Sequence, residues 1–204
     1  MEQIAGILHE PAGAPAGVVV LTHGAGGSRE SPMLTAICDE WARRGWLAVR
    51  YNLPFRRRRP KGPPSGSSAT DRAGILEAVA AVRRLGPDLP VVAGGHSYGG
   101  RLTSMAVADD GLDIDLLALF SYPLHPPGKP ERARTEHLPH ITVPTVFTHG
   151  SADPFASIEE LQSAAALIPA ATTIVEISGA RHDLGSKKFD VPALAVDAAL
   201  RLLD

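Results

Sequence analysis

The sequence predicts an α/β protein with a doubly wound, mostly parallel sheet of six to seven strands and helices on both faces. Short apolar runs bounded by glycine or proline alternate with segments of helical period along the chain. Most of the runs lack strict apolar–polar alternation, which is typical of strands buried on both faces of a parallel sheet. At 204 residues the chain is long enough for one full core, so we expect a single domain over residues 1–204.

The predicted strands are short, rich in β-branched residues and punctuated by glycine or proline. They cover residues 17–24, 46–51, 89–95, 114–121, 144–150 and 172–178. A further edge strand is possible in QIAGILHE near the start of the chain.

Five helices are predicted, and the first two carry one apolar face at spacings of three and four residues. The five helices cover residues 31–45, 71–86, 98–108, 157–168 and 191–203. The first has Ser31 as a candidate N-cap, Pro32 in its first turn and Gly45 at its end. Cys38 lies on its apolar face and is predicted to be a core residue.

Two proline-rich segments are predicted to be loops at the carboxyl ends of strands, where open α/β sheets bind ligands. The first, residues 53–70, contains four consecutive arginines, and the second, residues 122–143, is long enough to serve a function. Only about twenty residues join Ser121 to the next strand, too few for a folded cap domain. We therefore expect an open cleft roofed by these two loops.

The composition gives no indication of a nucleic-acid or membrane partner. The formal net charge is −2, the hydrophobic fraction is 44%, and no window approaches the length of a spanning helix. With a single cysteine and no secretory pattern at its start, the chain is expected to be cytoplasmic, with a small-molecule substrate. The sequence leaves open whether it is a monomer or a homodimer.

The stretch Gly95-His96-Ser97-Tyr98-Gly99 fits the pattern G-x-S-x-G between a predicted strand and a predicted helix. In this pattern a sharp turn exposes a reactive serine, and small flanking residues prevent collisions with the neighbouring elements. The alternative is a glycine-rich turn that happens to contain a serine, because glycine makes up a tenth of the chain.

A serine nucleophile needs a base and a group that orients the base. His182 follows the last predicted strand, and Asp153 follows the strand before it, so Ser97, Asp153 and His182 occur in the order known for one class of hydrolases. Asp183 is the rival acid, but adjacent side chains seldom meet in the required geometry. We predict Asp153.

Backbone N–H groups of Ala25, in the glycine-rich turn after the first long strand, and of Tyr98 are predicted to form an oxyanion hole. Arg56, Arg57, Arg58 and Arg59 could bind an anionic acyl group. The preferred interpretation of these arginines is a solvated basic loop.

The remaining histidines are given local roles. His96 is predicted to pack or cap beside the serine, and His23 and His149 are interpreted as structural. The spacing of His125, His137 and His140 does not suggest a metal site.

Over nearly its whole length the sequence resembles lidless α/β-hydrolases. LTHGAGGSRESPML, GGHSYGGRL, SYPLHPPGKPERARTEHLP and HGSADPF are similar to the small predicted-hydrolase family related to the TEX-type and KANSL-type proteins. Dienelactone hydrolases are similar in size but carry a cysteine where this chain has Ser97, and haloalkane dehalogenases carry an aspartate.

The resemblance implies that Ser97 is the nucleophile, His182 the general base and Asp153 its orienting acid, with no metal or organic cofactor. The predicted activity is hydrolysis of a carboxylic ester or related acyl compound. A non-catalytic binding or scaffold protein on the same fold, and a peptidase or carbon–carbon hydrolase with the same residues, remain alternatives.

Overall fold

A computed structural model describes residues 6–64, 68–185 and 187–204 of the chain. A seven-stranded sheet with the order β1-β3-β2-β4-β5-β6-β7 forms its centre. Only β1 is antiparallel to its neighbour, while the other strand pairs are parallel. The strands are β1 Ile7–His9, β2 Val18–Thr22, β3 Leu47–Tyr51, β4 Val91–His96, β5 Leu116–Phe120, β6 Thr145–Gly150 and β7 Thr172–Ile177.

The helices cover both faces of this sheet, which confirms the predicted doubly wound arrangement. They are α1 Pro32–Arg43, α2 Pro54–Arg58, α3 Ser68–Arg83, α4 Tyr98–Asp109, α5 Ile158–Ala165 and α6 Val191–Leu203. Apolar residues of α1 and α6 form one core layer with one side of the strands, and those of α3, α4 and α5 form the other. Because the strands are covered on both sides, five of the seven are almost wholly buried.

The segment 53–70 differs from the predicted loop. It contains α2 and the first turn of α3, and its residues 65–67 lie outside the described part of the chain. The prediction missed α2 because five residues are too few to show a helical period. The aromatic ring of Phe55 in this helix is buried in the core.

The segment 122–143 holds only two single turns of 3₁₀-helix, Pro130–Arg132 and Leu138–His140. Every residue between β5 and β6 is described, and no domain is inserted there, as predicted. Cys38 is fully buried as expected, and burial raises the pKa of its thiol to about 12. Among the described helices, none has the length and apolar character required to cross a membrane.

Candidate active site

Ser97 lies at the turn between β4 and α4 in a conformation that L-residues rarely adopt. Its φ is 51° and its ψ is −117°, and it is the N-cap residue of α4. Positive φ at a non-glycine residue costs free energy and persists only where the surroundings enforce it. Here its N–H donates to the carbonyl of Phe120 on β5, 2.8 Å away. The turn therefore holds the hydroxyl at the carboxyl edge of the sheet.

The glycines around Ser97 are required by close packing of backbone against backbone. A Cβ on Gly95 would collide with the carbonyl of Thr22, its register partner on β2. A Cβ on Gly99 would collide with the carbonyl of His23 at the end of the same strand. These contacts support the predicted reason for the pattern, since α4 and β2 approach the turn too closely for side chains.

The structure brings Ser97, His182 and Asp153 together as a chain of two hydrogen bonds. Ser97 Oγ is 2.8 Å from His182 Nε2, and His182 Nδ1 is 2.8 Å from Asp153 Oδ2. The three residues follow β4, β7 and β6, whose carboxyl ends share one edge of the sheet. In one tautomer of His182, the serine O–H donates to Nε2 and Nδ1–H donates to the carboxylate.

The carboxylate of Asp153 is inaccessible to solvent, yet it stays ionised at neutral pH. Burial would raise its pKa, but hydrogen bonds from His182 and from the N–H of Phe155 outweigh burial and lower the pKa. Asp183, the rival acid, is exposed and accepts a hydrogen bond from the N–H of Gly185 instead. The geometry therefore favours Asp153 as the partner of His182.

Two aromatic side chains fix the position of His182. The ring of Phe155 packs against the imidazole with 4.3 Å between centroids. His96 donates from Nε2 to the carbonyl of His182 at 2.7 Å, and burial lowers the pKa of His96, which keeps its ring neutral. His96 therefore acts locally, in line with the interpretation of the sequence.

His23 and His149 are fully buried, as their structural interpretation requires. His23 donates from Nδ1 to the carbonyl of Gly24 and accepts the N–H of Leu53 at Nε2, while burial lowers its pKa to about 4. His149 Nε2 donates to the carbonyl of Ala156 at 3.1 Å and lies 3.7 Å from Asp153 Oδ2. Both rings thus support the backbone around the site.

The predicted N–H donors lie on the two segments nearest Ser97. Tyr98 is the first residue of α4, so its N–H has no acceptor within the helix. Ala25 follows Gly24, where a Cβ would lie 3.2 Å from Ser97 Cβ and 2.9 Å from His96 Nδ1. The loop that contains Ala25 thus approaches the serine as closely as a glycine allows.

The arginine run does not behave as one solvated loop. Arg56 is buried, and its guanidinium donates to the carbonyls of Ala25, Gly27, Gly62 and Arg59. Because its guanidinium binds these four backbone carbonyls, Arg56 is neither part of a solvated loop nor a free cation for substrate, and both predictions are corrected for this residue. Arg57, Arg58 and Arg59 are exposed, and their role in binding substrate stays a prediction.

A cavity of about 450 Å³ adjoins His96 and Asp183, the neighbours of Ser97 and His182. Its walls come from the start of α1 and from the chain leading into α6, and they are largely apolar. They include Met33, Ala36, Leu184, Phe189 and Val191. Neither proline-rich loop contributes to the walls of this cavity, so the expectation that the two loops roof the cleft stays a prediction.

Asp71 on α3 was not singled out from the sequence, yet it ties three elements to the serine turn. Its buried carboxylate accepts the N–H of Phe55 at 2.9 Å and the phenol O–H of Tyr98 at 3.0 Å. Burial and this hydrogen bond raise the pKa of Tyr98, so the phenol remains protonated. No local sequence signal marks such a contact, because its partners lie far along the chain.

Comparison with known families finds a match to a model described as an alpha/beta hydrolase domain, over residues 15–193. Solved structures with the same fold include Est1E from Butyrivibrio proteoclasticus, with a TM-score of 0.77 and 16% identity, covering 97% of this chain and 93% of that one. The dienelactone hydrolase from Anabaena variabilis has a TM-score of 0.74 and 22% identity, with coverages of 95% and 88%.

A third structure is XC6422 from Xanthomonas campestris, described as a serine hydrolase without a lid. It has a TM-score of 0.74 and 18% identity, covering 96% of this chain and 88% of that one. At such identities the likeness concerns the fold. The narrower similarity to the TEX-type and KANSL-type proteins stays a prediction.

Proposed function

Because this chain belongs to the alpha/beta hydrolase family, we propose that it cleaves a carboxylic ester or related acyl compound through an acyl-enzyme on Ser97. The observation that carries the proposal is the pair of 2.8 Å hydrogen bonds joining Ser97, His182 and Asp153. The positive φ of Ser97 supports it, since backbone strain of this kind is concentrated at active sites.

In the first half of the reaction, Ser97 Oγ attacks the carbonyl carbon while its proton passes to His182 Nε2. Asp153 accepts the hydrogen bond from Nδ1–H and stabilises the imidazolium that forms. Collapse of the tetrahedral intermediate breaks the bond to the leaving group, which takes the proton from Nε2. The acyl group is then bonded to Ser97 Oγ.

In the second half, a water molecule gives a proton to His182 Nε2 and attacks the acyl carbon. Collapse of the second intermediate returns this proton to Ser97 Oγ and releases a carboxylic acid. The N–H groups of Ala25 and Tyr98 would bind the negative oxygen in both intermediates. Donors of this kind typically contribute about 10²–10³ in turnover.

Intact-protein mass spectrometry after treatment with a fluorophosphonate probe tests the proposal. We expect one adduct on the wild type and on Ser163→Ala, a matched control because Ser163 is exposed on α5. Ser97→Ala and His182→Ala should carry no adduct, with circular dichroism confirming that both are folded. A well-folded wild type without adduct would contradict the proposal and favour the non-catalytic binding protein.

Chromogenic esters, thioesters and anilides then separate the alternatives within hydrolases. We expect 4-nitrophenyl esters to be cleaved at rates that fall by at least about 10³-fold in Ser97→Ala. Cleavage of anilides at rates comparable to those of the esters would instead assign the residues to a peptidase.

A further inference from the structure

Arg101 on α4 carries a guanidinium with unused hydrogen-bonding capacity. Its Nε is buried without a partner, and no ion pair or hydrogen bond joins its side chain to any other described residue. A guanidinium has five N–H donors, and leaving such donors unpaired away from water is unfavourable. This arginine is therefore available for an anion that is not part of the protein.

The position of Arg101 places it beside the candidate nucleophile. Its N–H donates to the carbonyl of Ser97 at 2.9 Å, so the two residues are one helical turn apart on the same face of α4. Helical side chains lean toward the N-terminus of their helix, which is the end that carries Ser97. At this position the side chain of Arg101 is therefore expected to lean toward the reactive edge of the sheet.

Arg134, in the segment 122–143, lies near enough to Arg101 for their positive charges to repel each other. The N–H of Arg134 donates to the carbonyl of Leu124 at 2.8 Å, and its Nη1 donates to the carbonyl of Pro123 at 3.1 Å. Burial and the nearby charge of Arg101 lower the pKa of Arg134. Neither guanidinium forms an ion pair with a carboxylate of the described residues, although Glu136 lies near enough to offset part of the repulsion.

His137 lies in the same region as Arg101 and Arg134 but carries no charge at neutral pH. Its Nε2 is 2.8 Å from Ser104 Oγ and 3.2 Å from the hydroxyl of Tyr122. Burial and the charge of Arg101 lower the pKa of His137 to about 4. The charges of Asp109 and Glu136 raise this pKa, but by less. At neutral pH the group therefore presents two positive charges, those of Arg101 and Arg134.

We propose that Arg101 and Arg134 form an anion subsite that binds a carboxylate of the substrate beside Ser97. The planar fork of a guanidinium matches a carboxylate in two parallel hydrogen bonds, and an anion would relieve the repulsion between the two arginines. The substrate class that fits is a monoester of a dicarboxylic acid. The inference rests on the proposed hydrolysis at Ser97. It places the substrate carboxylate at Arg101 and Arg134 rather than at the run Arg56–Arg59.

Paired esters of equal shape test the subsite. The mono-4-nitrophenyl esters of glutaric and adipic acid are compared with the neutral 4-nitrophenyl 5-methylhexanoate and 6-methylheptanoate, after subtraction of spontaneous hydrolysis. We expect the wild type to prefer an anionic ester, and added salt to weaken that preference. Arg101→Gln and Arg134→Gln should lower kcat/KM for the anionic ester about 10- to 100-fold and change the neutral ester less than about threefold.

Arg201→Gln is the matched control, because it removes the same charge from an exposed position on α6, across the sheet from α4. It should leave the preference unchanged. Equal kcat/KM for the two ester classes in the wild type would overturn the subsite, as would an equal loss of both classes in Arg101→Gln.

A binding measurement separates failure of the subsite from failure of the proposed function. Calorimetric titration of adipate should show binding to the wild type and none to a folded Arg101→Gln, whether or not Ser97 reacts. If fluorophosphonate labels Ser97 but adipate does not bind, the subsite is overturned and the proposed hydrolysis stands. If the wild type is not labelled by fluorophosphonate, the proposed hydrolysis is contradicted. If the wild type binds inorganic phosphate but not adipate, the assignment of the subsite to a carboxylate is contradicted.

Discussion

The guanidinium of Arg56 donates to the carbonyl of Ala25 at 2.9 Å and thereby fixes the loop that lies against Ser97. A second donor of the same guanidinium binds the carbonyl of Gly27 at 2.8 Å. These two hydrogen bonds from the rigid, buried guanidinium hold the peptide planes that contain the carbonyls of Ala25 and Gly27. The Ala25 N–H, which the proposed mechanism aims at the oxyanion, shares its peptide plane with the carbonyl of Gly24, which accepts a hydrogen bond from His23. Arg56 restrains this N–H through the adjoining plane, from a residue that need not touch substrate.

Arg56→Lys should therefore reduce turnover more than substrate binding. A lysine supplies one donor site in place of the planar fork, so the loop next to the Ala25 N–H is held less firmly. We expect kcat to fall about 10- to 100-fold with KM changed less than about threefold. Arg58→Lys, at an exposed position of the same helix, should match the wild type. A rise in KM at constant kcat would instead indicate that Arg56 binds substrate.

Asp153→Asn should nearly abolish turnover while preserving the shape of the site. The amide can donate to His182 Nδ1 and so favours the tautomer in which Nε2 can no longer accept the serine proton. In serine proteases the corresponding substitution lowers kcat about 10⁴-fold, and we expect a loss of similar order in ester hydrolysis. Asp183→Asn is the control, because Asp183 is adjacent to His182 in sequence yet is exposed and bonds elsewhere. A larger loss in Asp183→Asn would reverse the two assignments.

The sheet and the serine turn could be predicted because their signals are local. Val91 and Val92 mark a buried strand, and the glycines that follow flank Ser97 closely in the sequence. The order of Ser97, Asp153 and His182 could also be predicted, since each residue follows its own strand. Parallel strands bring all such positions to one edge of the sheet.

The supporting contacts could not be predicted because they join distant parts of the chain. Arg56 and Ala25 are 31 residues apart, and Asp71 and Tyr98 are 27 residues apart. Arg56 stands in a run of four arginines that resembles a solvated loop, yet the structure places its guanidinium against the carbonyls of Ala25 and Gly27. The identity of an isolated arginine does not reveal whether its guanidinium meets water or a backbone carbonyl.

Gly95→Ala should destabilise the protein, because the new Cβ would meet the backbone carbonyl of Thr22 rather than a movable side chain. Overpacking of this kind costs about 1–3 kcal/mol or more in the free energy of unfolding. Urea unfolding followed by circular dichroism measures it. Gly13→Ala is the control, since nothing lies within 4 Å of a Cβ at Gly13. Its free energy of unfolding should stay within about 0.5 kcal/mol of the wild type.

His125 should make the attachment of the segment 122–143 to α5 dependent on pH. Its Nδ1–H donates to the carbonyl of Pro126, and its Nε2 lies 3.1 Å from Glu160 Oε2, an arrangement that requires the protonated ring. Burial would lower the pKa of His125, but the bonds to Pro126 and Glu160 outweigh burial and raise it above 6.5. The ion pair therefore stabilises the fold fully below pH 6.5.

This contribution should be lost as pH rises through the raised pKa of His125. Since Glu160 is partly exposed, we expect a loss on the order of 0.5–1 kcal/mol. The experiment compares urea unfolding of the wild type and of His125→Gln between pH 6 and about pH 9. Their difference should shrink with rising pH, because glutamine does not titrate, whereas a difference that grows with pH would contradict the ion pair. Histidines with lowered pKa, such as His23, affect both proteins alike and cancel in this difference.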